Sequence, residues 1–187
     1  MMNHPNRNYS KTLSTPHSGP ALRVAPLLAA ALLLEVRAAH AEVRYVRAAG
    51  NDNTDCSQPT LPCLTIAWAA GISVDGDVID VGDGVFNEFD VVIDRSITVK
   101  GSGSDRTTIQ AGKLGRHFEV HPSAGTCDAA PVVTLEGMTL LDGSRTAPGE
   151  DGGSVLIRSG SLTLDEVIVS NNEADDQGGA VACLEEC

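Results

Sequence analysis

Positively charged residues are scarce in this sequence. Its 187 residues include 13 Lys and Arg against 25 Asp and Glu, which gives a formal net charge of −12. Over residues 42–187 the counts are nine basic and 24 acidic residues, a net charge of about −15. Such a surface repels nucleic acid and anionic membranes, and it leaves cations or neutral sugars as compatible partners. Acidic residues spread through loops also serve solubility alone, and that is the competing interpretation.

The sequence also lacks an apolar run that is long enough to span a membrane in its leader. Residues 24–34 form an apolar run of eleven residues, which would rise only ~16 Å as a helix against a hydrocarbon core of ~30 Å. Basic residues precede this run, and an A-x-A cleavage site follows it at residues 39–41. We therefore predict that residues 1–41 are a signal peptide and that the mature chain is secreted, periplasmic or exposed at the cell surface. An uncleaved anchor is the alternative.

No Ser-His-Asp motif, phosphate loop, nucleotide fingerprint or C-x-x-C motif occurs. The sequence does contain five cysteines, which in an exported chain indicate disulfides. The local pairs are Cys56 with Cys63, which flank a loop containing two prolines, and Cys183 with Cys187. This pairing leaves Cys127 alone. Structural bridges are favoured over a zinc site because the spacings are wrong for a zinc ribbon.

One alternating apolar pattern is written twice, 29 residues apart. Its two copies are Val133-x-Leu135-x-x-Met138-x-Leu140 and Leu162-x-Leu164-x-x-Val167-x-Val169. A second repeat has an offset of 26 residues and consists of Gly152-Gly153-Ser154-Val155 and Gly178-Gly179-Ala180-Val181. A period of this length with strand alternation inside each unit is typical of a solenoid, because each unit buries its apolar side by stacking on the next.

The repeats predict an all-β fold, a right-handed parallel β-helix of about four coils over residues 75–187. Residues 42–74 are predicted to form an N-terminal cap with a short helix in which Leu64, Ala67, Trp68 and Gly71 share a face, with Trp68 closing the end of the core. Parallel connections favour the right hand. An antiparallel sandwich is the rival fold, but it does not explain why whole multi-strand units repeat.

Several motifs resemble those of bacterial right-handed β-helix proteins of the pectin-lyase-like superfamily. The segments similar to their N-terminal cap and first coil are Tyr45-Val46, Gly50-Asn51-Asp52, Cys56, Pro62-Cys63-Leu64-Thr65-Ile66, Asp75-Gly76-Asp77-Val78-Ile79-Asp80-Val81 and Val85-Phe86-Asn87-Glu88. Asn171-Asn172 and Gly178-Gly179-Ala180-Val181 resemble repeats of polymorphic outer-membrane proteins. The resemblance implies a fold. It does not fix a function, because that superfamily includes lyases, hydrolases, adhesins and members without assigned activity.

Members of that group usually run for many coils, whereas this sequence stops at Cys187, inside a coil. We therefore expect the β-helix to be truncated at its C-terminus. An open cross-section of this kind favours self-association.

Two surface sites are predicted from residue chemistry. Asp175 and Asp176 are the nearest approach to the acid pair of a hydrolase, although the motifs that surround such pairs are missing. His117, Glu119 and His121 alternate with apolar residues, so that they could project from one face of a strand and bind a transition metal. Both sets also fit ordinary solvent-facing positions. Ca²⁺ is a further possible ligand of two acidic groups, Asp52 with Asp55 and Asp75, Asp77, Asp80 with Asp83.

The sequence therefore predicts a secreted or cell-surface β-helix that binds or displays without catalysis, in the manner of an adhesin. Its expected partner is a carbohydrate or a host or cell-surface ligand, with no nucleic acid and no membrane span in the mature chain. No cofactor is expected beyond possible Ca²⁺. The alternative is a carbohydrate-active enzyme of the same fold, a polysaccharide lyase or a glycoside hydrolase.

Overall fold

Alternating apolar residues form short strands along most of the chain, together with one helix. The computed structural model describes residues 40–122 and 130–184, so the predicted signal peptide lies outside the described residues except for residues 40 and 41. The elements are β1 Val43–Val46, α1 Ile66–Ile72, β2 Val78–Val81, β3 Gly84–Phe86, β4 Val91–Ile93, β5 Thr98–Lys100, β6 Thr107–Gln110, β7 Phe118–Val120, β8 Val132–Glu136, β9 Thr139–Leu141, β10 Ser144–Arg145, β11 Val155–Ile157, β12 Ser161–Asp165, β13 Ile168–Ser170, β14 Glu173–Ala174 and β15 Val181–Cys183.

The strands form four parallel sheets. The first sheet has the order β1-β2-β5-β8-β12, the second β13-β9-β6-β3, the third β15-β11-β7-β4, and β10 pairs with β14 in a small fourth sheet. The chain visits the first, second and third sheets in turn and then returns to the first. All pairings between the described strands are parallel. The structure is thus all-β with stacked parallel sheets, as a β-helix requires, and it excludes the antiparallel sandwich.

The two repeat offsets appear in the strand register. Leu162 pairs with Val133 and Leu164 with Leu135, an offset of 29 residues. In the third sheet Val181 pairs with Val155, an offset of 26 residues. The difference arises between these strands, because the segment 146–154 is three residues longer than its counterpart 175–180.

Inward side chains are buried to different degrees in the two copies of the repeat. Val133, Leu135, Met138 and Leu140 are fully buried, whereas Leu162, Val167 and Val169 are only partly buried against the same core, and Leu164 is 40% exposed. The first copy lies between strands on both sides. The second copy has a described strand on one side only.

Helix α1 is held by side chains at its first turn. The Thr65 hydroxyl accepts a hydrogen bond from the Trp68 N–H, and the Glu88 carboxylate accepts bonds from the N–H groups of Ile66 (2.8 Å) and Ala67 (3.0 Å). Such bonds satisfy amides that have no partner within the helix. The desolvation that comes with burial raises the pKa of Glu88.

The prediction that Trp68 closes the core is wrong. The helix starts at Ile66, two residues later than expected, so its buried face consists of Ile66, Ala69 and Ala70. Trp68 is 42% exposed, and its indole N–H donates to the Thr54 carbonyl at 3.1 Å. The segment predicted as a cap also contributes β1, the edge strand of the first sheet.

The predicted bridge between Cys56 and Cys63 is confirmed, with a Cα–Cα distance of 5.2 Å and both residues fully buried. The predicted partner of Cys187 is not bonded, because Cys183 is a free, exposed thiol. Strand β15 keeps residue 183 in extended backbone, which does not make the tight turn of a local bridge. Cys187 and Cys127 lie outside the described residues.

Candidate binding site on the third sheet

The outer face of the third sheet changes character along its strands. Val92, Glu119, Leu156 and Ala182 occupy the outward position of the four strands and lie in register. Val92 is exposed, but Leu156 is only 2% exposed even though its neighbours Val155 and Ile157 point into the core. Leu156 lines a cavity of about 190 Å³ with Gly149, Glu150, Asp151, Arg158 and Leu184. Residues 146–151, which we call the covering loop, therefore lie over this part of the sheet.

Arg116 is buried beneath the covering loop, with a side chain only 2% exposed. Its Nη2 donates to Glu150 Oε2 at 2.9 Å, and its Nη1 lies 3.6 Å from Glu119 Oε2. Neither Nε nor Nη1 has a hydrogen-bond partner. Burial lowers the pKa of the guanidinium. A cation in this position is costly unless carboxylates surround it, because burial disfavours its charge.

Glu119 connects Arg116 to a second arginine. Its Oε1 accepts a hydrogen bond of 2.6 Å from Arg158 Nε. Burial by itself would raise the pKa of Glu119, but the hydrogen bond and the charges of Arg158 and Arg116 outweigh burial and lower it. Glu119 is therefore held as a carboxylate, an acceptor for guanidinium groups.

A third arginine reaches the same region. The Arg145 Nη2 donates to Asp90 Oδ1, and the Asp90 N–H donates to the Arg116 carbonyl at 2.6 Å. The Nε of Arg145 is buried without a hydrogen-bond partner. The site needs glycine at position 115, since a Cβ there would lie 2.7 Å from Asp90 Oδ1. We call the three arginines and their carboxylates Asp90, Glu119 and Glu150 the arginine cluster.

The predicted acid pair supports the covering loop. Asp175 Oδ2 accepts a hydrogen bond from the Gly149 N–H at 3.0 Å, and the Asp176 N–H donates to the Glu150 carbonyl at 3.2 Å. Both aspartates are exposed. Asp175 thus positions the loop that carries Glu150, and the structure assigns Asp176 a backbone contact.

The predicted His117, Glu119 and His121 face is not formed as expected. His117 is fully buried: its Nε2 donates to the Leu141 carbonyl and its Nδ1 accepts from Ser154 Oγ, both at 3.0 Å. Strand β7 begins only at Phe118, so the outward alternation does not extend back to His117. His121 Nδ1 donates to the Pro122 carbonyl at 2.9 Å. Within residues 40–122 and 130–184 no group of three or more His, Cys, Asp or Glu side chains could hold a metal ion.

The acidic residues considered for Ca²⁺ have protein partners. Asp52 accepts hydrogen bonds from the N–H groups of Leu64 and Thr65, and Asp55 accepts from Ser57. Asp77 is buried with Arg44 Nε at 3.1 Å, and Asp80 lies 3.0 Å from Arg47 Nη1. Asp75 accepts from the Ser96 N–H, and Asp83 lies 3.7 Å from Arg106. These contacts account for the carboxylates as turn and ion-pair residues.

No family model, curated protein or solved structure matches this chain. None of the helices in the described part of the chain has the length and apolar character that a membrane crossing needs.

Proposed function

We propose that this protein is an exported, right-handed parallel β-helix of about four coils, related to the pectin-lyase-like proteins, that binds a ligand without cleaving it. The binding surface is the outer face of the third sheet at the arginine cluster. The ligand is a carbohydrate or another cell-surface molecule. The return of the chain to the same three sheets, in register, supports the β-helix.

The observation that carries the binding function is the convergence of three arginines beside a cavity. Residues 42–187 contain only nine basic residues, and Arg116, Arg145 and Arg158 meet here. Arginine is suited to oriented recognition of oxygen-rich groups, because its planar guanidinium presents several donors in fixed directions. A concave surface with few polar groups at defined positions is the usual form of a binding site.

The state of the nearby carboxylates favours binding over hydrolysis. A general acid needs a carboxyl group that holds its proton near neutral pH, and the pKa of Glu119 is shifted the opposite way. Among the described carboxylates with a resolved shift, the pKa is raised at Glu88 alone, and that side chain caps α1 outside this cavity. Asp175 and Asp176 are exposed residues that hold the covering loop.

The test is to screen the purified chain against a panel of polysaccharides, with and without Ca²⁺, for both binding and product release. We expect saturable binding without new reducing ends or unsaturated products. Arg158→Gln should weaken binding at least about tenfold, as expected for loss of a charged hydrogen bond, whereas the surface control Arg106→Gln should not. Equal binding by both variants would contradict this site. Turnover that Asp175→Asn or Asp176→Asn abolishes would establish an enzyme instead.

A further inference from the structure

Three buried donors in the arginine cluster have no hydrogen-bond acceptor. They are Nε and Nη1 of Arg116 and Nε of Arg145, and they are all the buried side-chain polar atoms without a partner in the described part of the chain. A buried donor without an acceptor costs roughly 1–3 kcal/mol. Their concentration in one place, rather than scattered over the fold, indicates that this site takes up an acceptor from outside the chain.

The protein's own carboxylates do not supply that acceptor. Asp90 is engaged by Arg145 Nη2, and Glu119 is engaged by Arg158, with its second oxygen 3.6 Å from Arg116 Nη1. Glu150 differs from both, because its side chain is 42% exposed and lines the cavity while one oxygen contacts Arg116 Nη2. Glu150 therefore stands between the cavity and the buried guanidinium.

We propose that the site binds a small organic carboxylate, which replaces the Glu150 carboxylate on Arg116 and supplies an acceptor to Nε of Arg116 or Arg145. This inference rests on the proposed function in placing the binding surface at the arginine cluster. The exchange of one carboxylate for another leaves the charge around Arg116 unchanged, which avoids burying an unbalanced ion. The cavity would hold about six water molecules at ~30 Å³ each, and Leu156 and Leu184 offer apolar contact to a short carbon chain.

The proposal predicts opposite effects for two variants of the site. Glu150→Gln removes the competing carboxylate and should tighten the binding of acetate at least about tenfold, the effect of one charged hydrogen bond. Arg145→Lys keeps the charge but loses the Nε donor, and it should weaken acetate binding by a similar factor. Arg106→Lys, an exposed arginine paired with Asp83, is the matched control and should bind acetate like the wild type.

The measurement is calorimetric titration of the purified full chain and its variants with sodium acetate at constant ionic strength. Thermal melts in the same buffers check folding, and acetate should raise the melting temperature of Glu150→Gln more than that of the wild type. The proposal is overturned if neither the wild type nor Glu150→Gln binds acetate, if Glu150→Gln does not tighten binding, or if sulfate binds as tightly as acetate. Retained polysaccharide binding in those cases would leave the proposed function standing, whereas its loss in Arg158→Gln with intact acetate binding would separate the two.

Discussion

The two ends of the first sheet contain similar residues but differ in burial. At the α1 end, Val46 and Ile79 of β1 and β2 are fully buried, as is Ile66 of the helix that packs there. At the other end, Leu164 of β12 alternates in the same way and is 40% exposed. Strand β12 nevertheless pairs with β8 along five residues. The comparison shows that one neighbouring strand is enough to form a strand, whereas burial of its side chains needs cover on both sides.

The largest effect should come from removing a core side chain in the covered region. Leu135→Ala should lower the free energy of unfolding by about 2–5 kcal/mol, because Leu135 is fully buried and its removal leaves a cavity. Leu164→Ala, at the paired position, should cost under about 1.5 kcal/mol, since the side chain already contacts water. Urea unfolding of both variants measures this difference. Equal losses would show that the two ends are equally covered.

The disulfide beside the helix should have the next largest effect. Replacing Cys56 and Cys63 by serine should lower the free energy of unfolding by about 2.5 kcal/mol, because the loop regains entropy in the unfolded chain. Cys183→Ser at the other end should change it by less than about 0.5 kcal/mol, because that thiol is free and exposed. Chemical denaturation under non-reducing conditions tests both values. A larger loss in the Cys183 variant would count against the assignment of that thiol as free.

Stability should depend on pH through His117. Burial lowers the pKa of this imidazole from its ordinary value near 6.5, so the folded protein keeps it neutral. The contribution is present above about pH 6.5, and it is lost as pH falls through the folded pKa, at up to about 1.4 kcal/mol per pH unit. His117→Asn should flatten this slope in urea unfolding between pH 7 and 5.

Glu88 changes stability in the opposite direction, because its raised pKa makes the folded protein more stable as pH falls toward 4.5. The difference between the wild type and His117→Asn isolates the histidine term, since Glu88 is present in both. Identical slopes in the two proteins would mean that His117 is not held neutral by burial.

The smallest effects should come from two glycines in open surroundings. A Cβ at Gly71 or Gly112 would meet nothing within 4 Å, but Gly112 has a φ of +60° and Gly71 lies in α1. Gly71→Ala should raise the melting temperature by a few degrees, because alanine favours the helix by about 0.5–1 kcal/mol. Gly112→Ala should lower it by a similar amount, because alanine disfavours positive φ. The same sign in both variants would contradict the backbone assignment.

The register was predictable from the sequence because stacking places like residues on like residues. Leu135 and Leu164, or Val155 and Val181, announce their pairing through a constant offset. The start of α1 was not predictable from its own segment. It depends on Glu88, a cap 21 and 22 residues later in the chain than the amides it binds.

The arginine cluster was missed for a related reason. Arg116 meets Glu150 across 34 residues, Arg158 meets Glu119 across 39, and Arg145 meets Asp90 across 55. No local motif records such contacts. The available signal was the three-residue excess between the two repeat offsets, which marks the insertion that lengthens the segment containing the covering loop.

The most direct test of the account is a cross-link between stacked strands, because both the fold and the site depend on parallel pairing at the 29-residue offset. Thr134 and Thr163 are paired neighbours on β8 and β12, so their Cα atoms should lie about 4.8 Å apart, within reach of a disulfide. In a background with the other cysteines at 127, 183 and 187 replaced by serine, Thr134→Cys with Thr163→Cys should oxidise readily. Thr134→Cys with Asp165→Cys, two residues out of register, should not. Efficient bridging of the second pair, or none of the first, would contradict the stacked parallel fold.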